Sequence, residues 1–251
     1  MRTAVSCVFL AAILAAPQAF PAEDVEFVAA DGVRVHGYLY RADAASDAPV
    51  ILLFHQAGGD ARGEYGPLVG RLNESGYHAL AIDQRVGGNR FGGVNQTAQR
   101  LEGDDYGYCD AYPDLEAALD FVLRSDLDGR IAVWGSSYSA ALVFQLAANR
   151  QADVDAVLAF SPASGEPLAA CRPEQFSGDI AVPVLALRPA REMQVPSVPP
   201  QMDRFRADGH RTHVADPGVH GSSMLDSARV GESTEATWSV VLDFLRGALS
   251  E

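Results

Sequence analysis

The segment with the clearest chemical potential covers residues 131–140, where an apolar stretch runs into a turn of small residues, I-A-V-W-G-S-S-Y-S-A. Gly135, Ser137 and Ser139 occupy the first, third and fifth positions of the pattern G-x-S-x-G, with a serine in place of the second glycine. This pattern is typical of a tight strand-to-helix turn that exposes a nucleophilic serine hydroxyl. The frame that begins at Gly135 selects Ser137, and Ser136 is the alternative.

A serine hydroxyl is a weak nucleophile at neutral pH, so it needs a base that takes its proton. Three histidines follow Ser137 in the chain: His210, His213 and His220. The first two flank or enter a short predicted strand, which favours structural roles for them. His220 lies in the glycine-bounded loop P-G-V-H-G-S after the last predicted strand. We therefore predict that His220 is the base.

The third requirement is an acid that orients the histidine, and in a serine–acid–histidine chain order it precedes His220. Glu192 lies five residues beyond the predicted strand 182–187, near the tip of a loop. Glutamate is an acceptable acid in such triads. Asp203 is the second candidate. The competing interpretation of Glu192 is a surface carboxylate paired with Arg188 or Arg191.

The rest of the chain reads as alternating strands and helices. Residues 25–29 and 33–40 alternate apolar and polar side chains around Asp31-Gly32, which predicts a β-hairpin. Strands are then predicted at 50–54, 77–82, 131–134, 154–160, 182–187 and 212–215, and helices at 65–74, 113–123, 138–149, 202–207 and in the last segment, which carries Trp238, Val241, Leu242, Leu245 and Leu249. This alternation predicts an α/β fold with a mostly parallel sheet and helices on both faces. Residues 84–108 and 161–180 are predicted to be irregular.

The composition excludes one class of function. The 251 residues are 48% hydrophobic and 21% charged, which is ordinary for a globular protein. All 19 basic residues are arginine, the formal net charge is −14, and the acidic residues are spread along the chain. Because no basic stripe is present to neutralise phosphates, we expect no nucleic-acid binding.

The first residues resemble a secretory signal. Arg2 precedes an apolar run over residues 4–16, and small residues follow it. This run is too short to span a bilayer, so residues 1–22 are predicted to be a signal peptide, and residues 23–251 a single domain. The protein is then expected to be secreted or periplasmic, without stable membrane insertion once the signal is cleaved. The alternative is an uncleaved membrane anchor.

The cysteines agree with export. Cys7 lies in the predicted signal, which leaves Cys109 and Cys171 in the mature chain. An even pair in an oxidising compartment predicts a disulfide. The alternative is two buried free thiols.

Four short segments follow one another along the chain: H-Q-A-G-G at 55–59, D-Q-R at 83–85, G-S-S-Y-S at 135–139 and V-H-G at 219–221. In this order they resemble the α/β-hydrolase superfamily, within its dienelactone-hydrolase-like and esterase-lipase branches. The resemblance covers essentially all of residues 25–250. It implies an α/β-hydrolase fold with a mostly parallel central sheet, an N-terminal hairpin and a minimal cap.

The resemblance also implies roles for the first two segments. Many family members have H-G-x where this chain has His55-Gln56-Ala57, and the third residue donates an oxyanion N–H. Ala57 then supplies one donor, and Tyr138, directly after the nucleophile, supplies the other. Gln56 replaces the usual glycine, which changes the shape of this site. His55 and D-Q-R are expected to be structural.

These features predict a serine hydrolase that cleaves small to medium carboxylic esters through an acyl-enzyme. About twenty residues separate the sixth and seventh predicted strands, which leaves room only for a small cap and an open site. We expect no cofactor, no metal site and a monomer whose partner is a small ester substrate. The alternatives are a serine peptidase on the same fold and a non-catalytic binding protein, which the departures at Gln56 and Ser139 would allow.

Overall fold

The structure is a computed structural model that describes residues 21–101 and 105–250. The predicted signal peptide therefore lies almost wholly outside the described residues. The described chain forms an eight-stranded sheet whose strands are β1 (Ala22–Val28), β2 (Arg34–Tyr40), β3 (Val50–Phe54), β4 (His78–Asp83), β5 (Ile131–Ser136), β6 (Ala156–Phe160), β7 (Val184–Pro189) and β8 (Arg211–Ala215). Their order across the sheet is β1-β2-β4-β3-β5-β6-β7-β8.

Helices follow most of these strands. They are α1 (Ala61–Glu74), α2 (Gln96–Arg100), α3 (Tyr112–Leu123), α4 (Tyr138–Asn149), α5 (Val198–Ala207), α6 (Ser227–Val230) and α7 (Glu235–Leu249). Short 3₁₀ turns make up much of residues 161–180 and carry residues 190–194 and 221–225. Within the described ranges, no helix is long and apolar enough to cross a membrane.

The hairpin and the parallel strands confirm the predicted fold. β1 pairs antiparallel with β2, and β2 pairs antiparallel with β4. At the hairpin turn Ala29 N–H donates to Val33 O over 2.8 Å, and Gly32 adopts a φ of 89°, a conformation that glycine reaches without strain. From β4 to β8 every neighbouring pair is parallel.

The sheet carries a core on each face, which explains the continuous apolar runs of its central strands. Along β3, Ile51 and Leu53 join the cluster that holds α1 and α7. Leu52 and Phe54 point to the other face, where α3, α4 and α5 pack. Both faces are therefore covered, and polar chemistry is left to the ends of the strands.

Several element boundaries differ from the predicted ones for identifiable reasons. α1 begins at Ala61, four residues earlier than predicted, because the Asp60 carboxylate accepts the Gly63 N–H over 2.6 Å and caps the helix. In the stretch predicted to be irregular, Asn95 caps the short helix α2 by accepting the Ala98 N–H.

The carboxyl ends of the parallel strands meet at one edge of the sheet. This edge carries the β3 loop (residues 55–59), the turn after β5, the β6 segment (residues 161–180), the 3₁₀ turn after β7 and the β8 loop (residues 216–223). The predicted nucleophile, base, acid and oxyanion donors all lie on these five connections or at the start of the helix that follows one of them.

Candidate active site

Ser137 stands at the turn between β5 and α4 in a conformation that few residues adopt. Its φ is 60° and its ψ is −114°. Non-glycine residues are held in such conformations only where the surroundings demand it, and these cluster at functional sites. The turn is tight, since a Cβ on Gly135 would overlap the backbone of Ser139 and Ala140. Ser137 remains partly exposed, which leaves its hydroxyl accessible.

The neighbouring Ser136 differs in both exposure and contacts. It is fully buried, and its Oγ accepts the Ser222 N–H over 2.9 Å. The alternative nucleophile is therefore enclosed and already engaged. Its bond attaches the β8 loop to the residue directly before Ser137.

Ser139, which replaces the second glycine of the motif, has a contact of its own. Its Oγ donates to His55 O over 2.5 Å and accepts the Gln84 Nε2–H over 2.7 Å. The hydroxyl thus joins the start of α4 to the β3 loop and to the end of β4. This departure from glycine adds a structural link at no visible cost to the turn.

The predicted base and acid contact each other. His220 Nδ1 lies 2.6 Å from Glu192 Oε1, so the ring donates its Nδ1–H to the carboxylate. The side chain of Glu192 is 13% exposed, whereas that of His220 is 37% exposed. With Nδ1 protonated, Nε2 of the neutral ring is the free acceptor. No hydrogen bond joins His220 to Ser137 in the described part of the chain.

Glu192 is held as a carboxylate. Burial alone would raise its pKa, but hydrogen bonds and charge from His220 and Arg188 outweigh it and hold the pKa at about 2. Arg188 Nη1 donates to Glu192 Oε2 over 2.7 Å. The pairing with Arg188 and the contact with His220 therefore coexist, one on each carboxylate oxygen.

Ser161 is a site residue that the sequence did not reveal. It follows β6 with a φ of 52°, and its Oγ donates to Glu192 Oε1 over 3.2 Å while accepting the Gly221 N–H over 3.0 Å. The hydroxyl thereby links the acid to the loop that carries His220. A serine directly after a parallel strand is the only sequence signal for this role.

The competing candidates lie in other surroundings. Asp203 is exposed on α5, where it pairs with Arg206. His210 is buried and donates its Nε2–H to Ser177 O over 2.7 Å. His213 lies on the edge strand β8 and is half-buried. None of these three has a hydrogen bond to Glu192 or Ser137 among residues 21–101 and 105–250.

The backbone of the β3 loop is clamped so that one N–H stays free. Gln56 O accepts the His55 Nδ1–H over 2.9 Å and the Gly59 N–H over 3.0 Å. In a planar trans peptide the N–H points opposite to the carbonyl, so Ala57 N–H faces away from this clamp. Neither Ala57 N–H nor Tyr138 N–H finds an acceptor within the described chain. Two such orphan donors suit an oxyanion.

His55 is structural, as expected from its position. It is fully buried, and this burial lowers its pKa to about 4 even though the bond to Gln56 favours the charged form. Its Nε2 accepts the Gln84 N–H over 3.0 Å and faces Asn95 Nδ2 at 3.1 Å. The ring is therefore neutral and braces the β3 loop against the end of β4.

The segment Asp83-Gln84-Arg85 is also structural. Asp83 accepts the N–H groups of Ala61 and Gln96, each over 2.8 Å, and so holds the starts of α1 and α2. Arg85 is buried and pairs with Asp114. These contacts fix the segment that lies beside the site.

The predicted disulfide between Cys109 and Cys171 is present. It ties the β6 segment to the turn before α3 across 62 residues of chain. Tyr108, beside it, stacks on Tyr138 with ring centroids 4.9 Å apart. The cross-link therefore supports the rim of the same edge that carries the serine turn.

Comparison with known proteins agrees with this architecture. An esterase of Pyrococcus furiosus, Pf2001, superposes with a TM-score of 0.69 at 20% identity and covers 92% of each chain. An acylaminoacyl peptidase of Pyrococcus horikoshii gives 0.67 at 15% identity, over 93% of this chain and 42% of that one. At these identities the likeness concerns the fold.

In sequence, the quorum-quenching protein AidA of Acinetobacter baumannii is 30% identical over 128 residues, or 50% of this chain and 39% of that protein. The match thus spans well under half of that relative. The profile of the family described as alpha/beta hydrolase fold matches residues 49–217, which run from the start of β3 to the β8 loop. This chain is a hydrolase-type protein that belongs to the α/β-hydrolase fold family.

Proposed function

We propose that this protein is a serine hydrolase of small to medium carboxylic esters, with Ser137, His220 and Glu192 as its triad. The observation that carries the proposal is the 2.6 Å contact between His220 Nδ1 and Glu192 Oε1, in a loop bonded to Ser136, directly beside the strained Ser137. The acid fixes the ring tautomer that leaves Nε2 free to accept a proton.

The chemistry is acyl transfer. Ser137 Oγ attacks the ester carbonyl as its proton passes to His220 Nε2, and the oxyanion accepts hydrogen bonds from Ala57 N–H and Tyr138 N–H. Collapse of the tetrahedral intermediate expels the alcohol, which takes the proton from His220. Water, deprotonated by His220, then attacks the acyl-enzyme, and the acid is released as Ser137 regains its proton.

The limited cap supports a small substrate. Between β6 and β7 the chain has only short 3₁₀ turns, and the disulfide limits their freedom. Such a rim leaves the serine turn open, which favours small to medium esters over long lipid chains. The same proposal places residues 23–251 as a single secreted or periplasmic domain that acts as a monomer.

The test is hydrolysis of p-nitrophenyl acetate, butyrate and octanoate by residues 23–251, beside Ser137→Ala and Ser136→Ala. Ser137→Ala is expected to lose turnover by a factor of about 10⁴ or more and to lose labelling by a fluorophosphonate. Ser136→Ala, the matched control, keeps the nucleophile and should still be labelled. Labelling that survives in Ser137→Ala and disappears in Ser136→Ala would reverse the assignment.

The same panel separates the two alternatives. Cleavage of peptide nitroanilides in preference to all esters would identify a peptidase, the activity for which the Pyrococcus horikoshii relative is named. A wild-type protein that neither turns over any ester nor reacts with the fluorophosphonate would be a binding protein.

A further inference from the structure

Glu64 lies in the first turn of α1 and is fully buried, an unusual place for a carboxylate. Its Oε2 accepts the backbone N–H of Gln56 over 2.7 Å, and its Oε1 accepts Gln56 Nε2–H over 3.1 Å. Both of these hydrogen bonds come from Gln56, which directly precedes Ala57.

Glu64 fixes the one part of the Gln56 backbone that His55 does not hold. His55 and Gly59 hold Gln56 O, and Glu64 holds Gln56 N. With both ends of this residue bonded, the direction of the following Ala57 N–H is set. Loss of the carboxylate would free the amino side of the clamp while leaving the carbonyl side in place.

The same carboxylate reaches the other two loops of the site. Ser136, at the end of β5, acts to lower the pKa of the Glu64 carboxyl, and Ser136 Oγ accepts the Ser222 N–H. Gly221, with a φ of 69°, has no room for a side chain, because a Cβ there would overlap Ser136 Oγ and lie 3.0 Å from Gln56 Nε2. Glu64 therefore lies where the β3 loop, the β5 turn and the β8 loop converge.

Arg229 closes this cluster from the surface side. Its Nη1 donates to Glu64 O and to Ser223 Oγ, each over 3.2 Å. The pKa of Glu64 is raised, because the effect of burial outweighs the lowering effects of Ser136, Gln56 and Arg229. In the described structure the carboxylate oxygens accept hydrogen bonds from Gln56, whereas Arg229 bonds the backbone carbonyl of Glu64.

We propose that Glu64 is a positioning residue that aims the Ala57 N–H at the oxyanion and keeps the β3 loop in register with the serine turn and the His220 loop. This inference rests on the proposed function, since it assigns Glu64 to the same site. Glu64 does not touch the reacting atoms and acts through Gln56 and Ser136. It should therefore affect transition-state stabilisation more than substrate binding.

The first test is Glu64→Gln, which keeps the size of the side chain but places an NH₂ group against a donor. Removing an oxyanion donor outright costs about 10²–10³ in kcat, so mispositioning one should lower kcat by about 10- to 100-fold, with KM changed less than about 3-fold. Asp155→Asn is the matched control, because Asp155 accepts the Ile131 N–H over 2.8 Å at the opposite end of β5. It should keep kcat within about 2-fold.

The second test is the exchanged pair Gln56→Glu with Glu64→Gln. The double variant again places one carboxylate opposite one amide, so its kcat should recover to within about 5-fold of wild type. Gln56→Glu alone places two carboxylates opposite each other and should have the lowest kcat of these variants. Wild-type kcat in Glu64→Gln with only a lower melting temperature, or no recovery in the exchanged pair, would overturn the proposal and leave Glu64 a purely structural acid.

Hydrogen exchange keeps this inference separate from the proposed function. If wild type hydrolyses no ester, the function fails, yet Glu64→Gln must still accelerate amide exchange in residues 55–59 and 219–223 together, relative to Asp155→Asn. Faster exchange confined to α1, with both loops unchanged, would refute the coupling whatever the activity.

Discussion

The β3 loop and the pair of Glu192 and His220, called here the acid–histidine pair, approach Ser137 from opposite sides of β5 and differ in physical character. The β3 loop is closed, with His55 and Gln56 buried and its links made by neutral side chains and one buried acid. The acid–histidine pair is charged and reaches solvent, since His220 is 37% exposed. An oxyanion site benefits from rigid, dry donors, whereas a proton acceptor must change its charge at low cost.

The largest loss of kcat is expected from a change in the acid–histidine pair, Glu192→Gln. The amide cannot hold the ring in the tautomer that exposes Nε2, so kcat on a short ester should fall by about 10³–10⁴. Because the pKa of Glu192 is held at about 2, the acid stays ionised from pH 5 to 9, and the acidic limb of the wild-type profile belongs to other groups.

The matched control for this variant is Asp203→Asn, since Asp203 is the other acid after β7 and is exposed on α5. It should retain kcat within about 2-fold. If kcat fell strongly in Asp203→Asn while Glu192→Gln stayed active, Asp203 would be the acid, and the contrast between the β3 loop and the acid–histidine pair would be wrong.

Loss of the disulfide should lower the stability of the protein and loosen the β6 segment, but it should leave the β3 loop unchanged. Replacing Cys109 and Cys171 by serine should lower the free energy of unfolding by about 2–4 kcal/mol, as loss of a long cross-link typically does. It ties the β6 segment, so exchange should accelerate there and not in residues 55–59. Urea unfolding of wild type with and without reductant is the control, and equal acceleration in both segments would contradict the separation of the two sides.

The last effect concerns His55 and appears only as a change of stability at mildly acid pH. Its pKa is about 4 in the fold against about 6.5 when unfolded, so only the unfolded chain takes up the proton between these values. His55 thus contributes up to about 3 kcal/mol above pH 6.5, which is lost as the pH falls to 4. Asp83, whose pKa burial raises to about 6, has the opposite sign and is present in both proteins compared.

The measurement is the pH dependence of the difference in unfolding free energy between wild type and His55→Gln. That difference should shrink from pH 7 to pH 4. Burial and the charge of Arg211 also lower the pKa of His213, but its ring is only half-buried, so His213→Gln should give a shallower dependence. A difference independent of pH would mean that water reaches His55 and that the β3 loop is not dry.

Much of the architecture could be predicted because it depends on local patterns. Buried runs such as Val50–Phe54 indicate parallel strands, and the loop after each strand indicates the edge where Ser137 lies. Glu192 and His220 could be nominated from strand order alone, and the structure places them in contact. The disulfide followed from counting cysteines.

What could not be predicted depends on convergence of distant segments. Glu64 sits in a first helical turn, where an acid ordinarily faces solvent, and only the meeting of three loops buries it. Ser161 acquires its role from a positive φ that no residue pattern indicates. The start of α1 escapes prediction because Asp60 caps it within a glycine-rich stretch that is typical of a loop.

Arg188 affects which of Glu192 and His220 can hold a proton. Its guanidinium bonds the second oxygen of Glu192 and does not deprotonate in proteins, so it remains a cation whatever the state of His220. When the imidazole becomes imidazolium, Glu192 lies between two cations and gains no tendency to accept the proton itself. In the proposed cycle the His220 ring is then the last proton acceptor, and it would return the proton only to the departing alcohol or to Ser137.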